Sequence, residues 1–377
     1  MDYNELAMQK HKELKGKIGL QLKDSLDTQD KLSTYYTPGV GAVSRYVSEH
    51  PAETRNYTWT NNNVAVISDG SAVLGLGNIG PNGALPVMEG KAMLFKHFAD
   101  IDAVPIVLDV HSADDIVAAV KAIAPSFGGI NLEDIAAPIC FEVEERLKQE
   151  LSIPVFHDDQ HGTAIVVLAG LINAMKVTGK KLSNCKVVVV GAGAAGTAII
   201  KLLHAYAKPS IYAVDSVGVV HAARNGLSQE KKSLLQYTNP SNEKGSLSDI
   251  LENADVFIGV SKANLLTGDM VRSMNKDPIL FAMANPTPEI MPDQAKQAGA
   301  AIVATGRSDF PNQVNNALAF PGIFRGALDN QLSKITEDHK VAAAEAIAGL
   351  VDKPSADLII PSALDSRLVP TVSRVIR

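Results

Sequence analysis

Lys186-Val187-Val188-Val189-Val190-Gly191-Ala192-Gly193-Ala194-Ala195-Gly196 decides the fold. Four consecutive valines suit a parallel strand buried on both faces. The glycines that follow are spaced G-x-G-x-x-G, and the apolar run Thr197 to Ala205 after them reads as a helix. In that setting Gly191 permits the tight turn, Gly193 lets the backbone approach a pyrophosphate, and Gly196 lets helix pack on strand. Ala192, Ala194 and Ala195 complete the cradle, because the first N–H groups of the helix are free for phosphate. A small-residue turn packed for structural reasons gives the same spacing; the strand before it and the helix after it favour a cofactor site. The next strand, Ser210 to Val214, ends at Asp215, about 20 residues on, where a carboxylate can accept from ribose hydroxyls. An acid there favours NAD, and Val217 removes one cation from its neighbourhood, although a Lys or Arg further along could still bind the 2′-phosphate of NADP. Asp215 as a simple turn cap is the plainer alternative. Strand-like runs recur at 256–260, 279–283 and 301–304, as in a doubly wound sheet.

Upstream, Val64 to Ile67 and Pro105 to Val110 are β-branched runs that end in turns or polar residues, and Asp114 to Ile123 has helical apolar spacing. Two short runs then end in adjacent acids. Gly128 to Leu132 leads into Glu133-Asp134, and Pro154 to His157 leads into Asp158-Asp159. Acids at strand ends stand where open α/β sheets collect ligands. Paired carboxylates from two strands offer the oxygen set that a hard divalent cation such as Mg2+ or Mn2+ takes. Thr163 to Met175 reads as a buried helix, and a domain boundary is expected near residue 160. The expected organisation is an N-terminal α/β catalytic domain over 1–160 and a Rossmann-type doubly wound dinucleotide-binding domain over 161–377. The helical end, from about 336 onward, is expected to reach back to the first domain.

Composition agrees with that size. The chain has 377 residues, 46% of them hydrophobic, more than a single core usually takes. A net charge of -6 argues against a nucleic-acid binder, which needs a surplus of Lys and Arg. With only Cys140 and Cys185, no metal-finger spacing exists, and a reducing cytoplasm is expected. The N-terminus lacks a signal pattern, and no uninterrupted apolar run reaches the roughly 18 residues of a membrane span.

Taken in order, Tyr35-Tyr36-Thr37-Pro38-Gly39-Val40, Glu89-Gly90-Lys91, the two acidic pairs, the glycine turn and Ala284-Asn285-Pro286 resemble the short bacterial malic enzymes over nearly the whole chain. The resemblance implies NAD- or NADP-dependent oxidative decarboxylation of L-malate to pyruvate and CO2, with decarboxylation of oxaloacetate beside it. It also implies a homodimer whose N-terminal helices suit intersubunit contact. Residue by residue it makes Lys91 the base, which calls for a lysine pKa lowered by burial and a nearby cation. Glu133, Asp134 and Asp159 become the Mg2+ or Mn2+ ligands, and Asp158 the acid that tunes Lys91. Confusing Asp158 with Asp159 is the hazard of such a pair. Tyr36 becomes the general acid that protonates C3, with Tyr35 as its neighbour and competitor. Thr163 joins the cofactor contacts, and Asn285 and Asn316 hold substrate, Asn285 touching cofactor as well, with Asn315 as a rival for Asn316. His157 and His161 are expected at the surface or behind the ligands, not as ligands of a soft metal. Lys91 is expected just after a Glu-Gly turn.

One position departs from the family. Longer members carry a substrate-binding arginine where this chain has Ser71-Ala72, and Ser71 with local N–H groups, or a lysine elsewhere, is expected to replace it. Three rival activities follow from partial use of the motifs. A pure oxaloacetate decarboxylase would not need the glycine turn, a nucleotide sensor would not need Lys91 and Asp159, and a malolactic enzyme would need everything here while yielding lactate.

Overall fold

The computed structural model describes residues 3–73 and 76–377. Met1 and Asp2 of the N-terminal reading, and Leu74 and Gly75 of the loop after Ser71, lie outside them. Four parallel strands, β1 (Asn63–Ser68), β2 (Asp102–Val107), β3 (Ile130–Leu132) and β4 (Val155–His157), form a sheet in the order β2-β1-β3-β4. The second sheet comprises β5 (Lys186–Val190), β6 (Ser210–Asp215), β7 (Gly218–Val219), β8 (Val256–Gly259), β9 (Ile279–Ala282) and β10 (Ile302–Thr305). Its order is β10-β9-β8-β5-β6-β7. All neighbours run parallel except β6 and β7. That two-residue antiparallel edge is too short to leave a pattern in the sequence.

Both sheets reverse their winding at an inner strand. In the first, the chain steps from β1 to β2 on one side and returns to β3 on the other; in the second it steps from β5 to β6 and returns to β8. Crevices open at such reversals, outside the carboxyl ends of the strands. Glu133 follows β3 at the first reversal and Gly191 follows β5 at the second.

The helix Asp158–Thr178 joins the sheets and straddles the boundary expected near residue 160. By length and composition it could cross a membrane, but most of it is buried inside the fold. It packs on the helices Ala194–Ala207 and Glu337–Gly349. One apolar cluster runs continuously from Val64 and Phe156 in the first sheet to Val187 and Ile258 in the second. The helix Phe320–Asp329 returns to the first sheet upstream of residue 336, and the later helix Glu337–Gly349 sends Lys340 to His161. Phe320 and Phe324 stand 4.6 Å and 5.3 Å from the Phe95 ring, both edge-on, and Arg325 bonds to Asn62. Truncating Phe95 to alanine in so closed a seam should cost about 3–5 kcal/mol. In the N-terminal segment expected to supply helices for intersubunit contact, Tyr3–Leu14 is helical and the chain beyond it is open, with Leu20 and Leu22 exposed.

Candidate active site

A cavity of about 660 Å³ lies between the carboxyl ends of the two sheets. One wall carries Glu133, Asp134 and Asp159, with Lys91 beside them; the other carries Ala194, Ala195, Ser261 and Asn285. The acids arrive there because β3 and β4 are three-residue strands that stop at the crevice. Asp134 has φ 54, in the left-handed region that aspartate tolerates better than most residues, as backbone at a functional turn often does.

Lys91 lies inside the helix Gly80–Ala99, so Glu89-Gly90 is helix interior and not the turn expected before it. Its ammonium is buried, 2.6 Å from Asp158 Oδ2 and 2.8 Å from Glu133 Oε1, and sits 4.3 Å over the Phe320 ring. The chain's own acids act against the lowered lysine pKa expected beside a cation. Burial pulls Lys91 down, but Asp158, Glu133 and Asp159 together outweigh it and hold the ammonium well above its ordinary value. The acids bear the cost. Burial, with the Asp159 charge added, pushes Glu133 up to about 7 against the pull of Lys91. Asp158, fully buried, is likewise pushed up to about 7 by burial and by Glu133, and its Oδ1 has no hydrogen-bond partner among the described residues. Asp159 is raised too, first by burial and then by Asp158.

The two acids of the second pair point to different neighbours. Asp158 Oδ2 accepts from Lys91, whereas Asp159 Oδ2 accepts the Asp134 N–H at 2.8 Å and lines the cavity with Glu133 and Asp134. Asn131 donates to Glu133 Oε2 at 2.9 Å. Three carboxylates on one wall are the oxygen donors a hard cation takes. Among the described residues no three Asp, Glu, His or Cys side chains already stand as a ligand set. Glu133 is drawn to Lys91 and Asp159 to the Asp134 N–H. The donor chemistry fits Mg2+ or Mn2+, and the excess of buried negative charge is what such a cation would relieve.

Neither histidine behaves as a surface group. His157 is fully buried, and among the described residues both its ring nitrogens lack hydrogen-bond partners. His161 takes a hydrogen bond from Lys340 Nζ on Nδ1 at 3.0 Å, so its Nε2–H donates to Glu144 Oε2 at 2.9 Å. Burial, against the pull of Glu144, lowers its pKa to about 4. Glu144 also accepts the His157 N–H at 3.0 Å, bracing the entry to the helix that carries both acids. Of this support the sequence reading places only the histidines behind the acids; Glu144 and Lys340 come from distant helices and leave no local signal.

On the cofactor side, Gly191 has φ 109, and a Cβ there would meet Val260 O at 2.6 Å. A Cβ at Gly196 would lie 1.8 Å from Gly191 O, while at Gly193 it would meet nothing within 4 Å. The first and third glycines are demanded by packing, and the second faces open space. Gly193 caps the helix without a side-chain bond, leaving its first N–H groups for a ligand. Asp215 lines a second cavity of about 350 Å³ with Val190, Ser246 and Leu265. Its Oδ2 accepts from Arg224 at 2.7 Å and Lys231 at 2.6 Å, and its Oδ1 from the Val217 N–H. Those partners override burial and hold its carboxyl well below the usual range. Both cations come from the chain beyond Val217.

Thr163, Asn285 and Asn316 line the main cavity, and so does Asn315. Asn315 Oδ1 caps the short turn after it by accepting the Ala317 N–H at 2.8 Å, which leaves Asn316 the freer amide. Ser71 does not line the cavity. Its hydroxyl donates to Asp69 at 2.6 Å and accepts the Ala136 N–H at 2.8 Å, so it shapes the loop and has no proton left for a substrate. Tyr36 does not line it either and is 68% exposed; the Tyr35 hydroxyl is taken by Asp24.

Residues 15–148 match the family model described as malic enzyme, N-terminal domain, and residues 160–374 match malic enzyme, NAD binding domain. The chain is similar to the bifunctional malic/malolactic enzyme of Bacillus subtilis, 56% identical over 379 residues that cover 100% of this chain and 92% of that protein. It is 54% identical to the NAD-dependent malic enzyme of Geobacillus stearothermophilus over 96% of this chain and 76% of the relative. The solved NAD-dependent malic enzyme of Thermotoga maritima superposes with a TM-score of 0.95 at 51% identity, covering 98% of each chain.

Proposed function

The chain belongs to the malic enzyme family, and on that premise we propose that this cavity oxidises L-malate with NAD and decarboxylates it to pyruvate and CO2. The observation that supports it most is Lys91 held between Asp158 and Glu133 on the wall opposite the glycine turn. In the resting site the three carboxylates keep Lys91 protonated, so it becomes a base only after its proton moves along the 2.6 Å bond to Asp158 Oδ2. Asp158, pushed up to about 7, is an acid that can hold that proton near neutrality. Neutral Lys91 Nζ then takes the proton of the C2 hydroxyl as hydride leaves C2 for nicotinamide. Mg2+ or Mn2+, held by Glu133, Asp134 and Asp159, would polarise the C2 oxygen for both oxidation and loss of CO2. Asn285 and Asn316 orient the substrate, Thr163 contacts the cofactor, and the N–H groups of Ala194 and Ala195 face the pyrophosphate.

Tyr36 is assigned to protonate C3 of the enol product of decarboxylation. Since it is exposed and does not line this cavity, that role goes with the proposed homodimer, in which one protomer lends Tyr36 to its partner's cavity. An open N-terminal segment with Leu20 90%, Leu22 76% and Tyr36 68% exposed suits burial against a second copy. For the cofactor, Asp215 supports NAD, while Arg224 and Lys231 leave the ribose site with one net positive charge and would accept the extra phosphate of NADP. Two buried free thiols suit the cytoplasm.

Malolactic conversion is the second reading, favoured by the bifunctional B. subtilis relative. One assay separates the two: reduced cofactor is followed by absorbance with L-malate, Mn2+ and NAD or NADP, with pyruvate and lactate measured together. NADH and pyruvate in equal amounts are expected. Lactate without accumulating NADH would replace the first reading by the second, and faster NADP reduction would overturn the preference for NAD.

A further inference from the structure

One buried acid behind the cavity lining has no part in this chemistry. Glu289 is fully buried, and among the described residues it has no ion pair. Its carboxylate is given over to backbone: Oε1 accepts the Ser261 N–H and Oε2 the Ala284 N–H, each at 3.0 Å. Those two N–H groups belong to different loops, one leaving β8 and the other leaving β9, and Ser261, Ala284 and Asn285 all line the main cavity. The main chain continues the stitch, with the Asn264 N–H donating to Pro288 O and the Leu266 N–H to Glu289 O. The last residue of β8 makes room for it, since a Cβ at Gly259 would sit 2.4 Å from the Glu289 carboxyl carbon.

A buried carboxylate without a counter-ion is costly, and burial pushes this one above its ordinary value while the N–H groups oppose the shift. Glutamine in the same place would avoid the charge but could accept only one of the two bonds, because its other head atom is a donor. What glutamate alone provides is a two-pronged acceptor that fixes the distance between the ends of two strands. We propose that Glu289 is a positioning residue, setting the gap between the β8 and β9 loops and thereby aiming Asn285 at the junction of substrate and nicotinamide. This rests on the malate-oxidising reading of the cavity.

The test uses the full-length enzyme with Mn2+ and compares Glu289→Gln, Asn285→Ala and the double variant. Glu289→Gln should lower kcat/KM for malate about tenfold. The primary isotope effect with malate deuterated at C2 should rise, because a mis-aimed substrate makes hydride transfer limiting. In the Asn285→Ala background the same substitution should cost less than about twofold, since residues acting as one unit are not additive. Additive losses, or an unchanged isotope effect, would overturn the proposal. Should Glu289→Gln not fold, Glu289→Asp keeps the charge but draws the fork back by one methylene, and it carries the same cycle. Failure of both to fold would place Glu289 in the scaffold and overturn the proposal too. A wild-type enzyme that does not reduce NAD with malate would refute the reading of the cavity itself, an outcome separate from all of these.

Discussion

Asp158→Asn should make the metal-free protein more resistant to unfolding at pH 8 relative to wild type while removing most of its activity. Asparagine matches the protonated acid in shape, so the two proteins should unfold alike where Asp158 carries its proton. Burial and Glu133 raise the folded-state pKa of Asp158 from 3.8 to about 7. A raised acid binds its proton more tightly folded than unfolded; its stabilising contribution is fully present below pH 3.8 and is lost as pH rises through about 7. That displacement corresponds to at most roughly 4 kcal/mol, an upper bound because Lys91 and Glu133 titrate with it. Wild type carries this loss at pH 8 and the variant does not. Catalysis moves the other way, since Lys91 loses the acceptor 2.6 Å away that receives its proton. Removing one partner of a proton-transfer pair costs about 10² to 10⁴ in rate. Urea unfolding in EDTA from pH 5 to 8, with malate-dependent NAD reduction alongside, measures both. A stability difference between the two proteins that is flat with pH, or that turns against the variant as pH rises, would refute the assignment of a buried, raised Asp158.

Three further outcomes follow from the same geometry. Asp159→Asn should weaken Mn2+ binding roughly 100-fold by calorimetry, and Asp158→Asn by far less, because only Asp159 lines the cavity with Glu133 and Asp134. Gly196→Ala would drive a Cβ to 1.8 Å from Gly191 O, which should cost roughly 3 kcal/mol by denaturant unfolding and abolish the rise in melting temperature that NAD gives. Arg224→Ala should raise KM for NADP about tenfold more than KM for NAD in steady-state kinetics, since it removes a charge-assisted partner that only the 2′-phosphate can use.

What was legible in the sequence is what local chemistry dictates. Four valines, three spaced glycines and an apolar helix form one contiguous unit, and the turn at 191–196 needs nothing from elsewhere to be read. Glu133-Asp134 and Asp158-Asp159 were legible as strand-end acids for the same reason. The state of Lys91 was not. A lysine in an apolar helix reads as one whose charge is disfavoured, and only the fold brings Asp158, 67 residues away in the chain, within 2.6 Å. Arg224 and Lys231 likewise meet Asp215 through the turn beyond β6, so an acid that reads as a free ribose acceptor is already paired. Ser71 reads as a candidate ligand because its sequence neighbours say nothing of Ala136, whose N–H occupies its oxygen. Glu289, four residues past Asn285, looks like an ordinary loop acid until its carboxylate is seen bridging two loops.

These gaps share a cause, and it bears on the chemistry. Sequence reading assigns one property to one residue, whereas Lys91, Glu133, Asp158 and Asp159 behave as a single charged object: three carboxylates and one ammonium, each shifted by the others. Lys91 is too well held to act as a base while all its acid neighbours are ionised. Asp158 is too deeply buried to stay ionised without Lys91 beside it. Each holds the other short of its ordinary behaviour, and a change of charge elsewhere on the wall shifts the balance of the proton between them. Positive charge at Glu133, Asp134 and Asp159 is such a change, because it withdraws two of the three anions that fix the lysine's proton. The division of the second acidic pair, Asp159 to the cavity and Asp158 to the lysine, is therefore what would let binding at one acid release a base at the other.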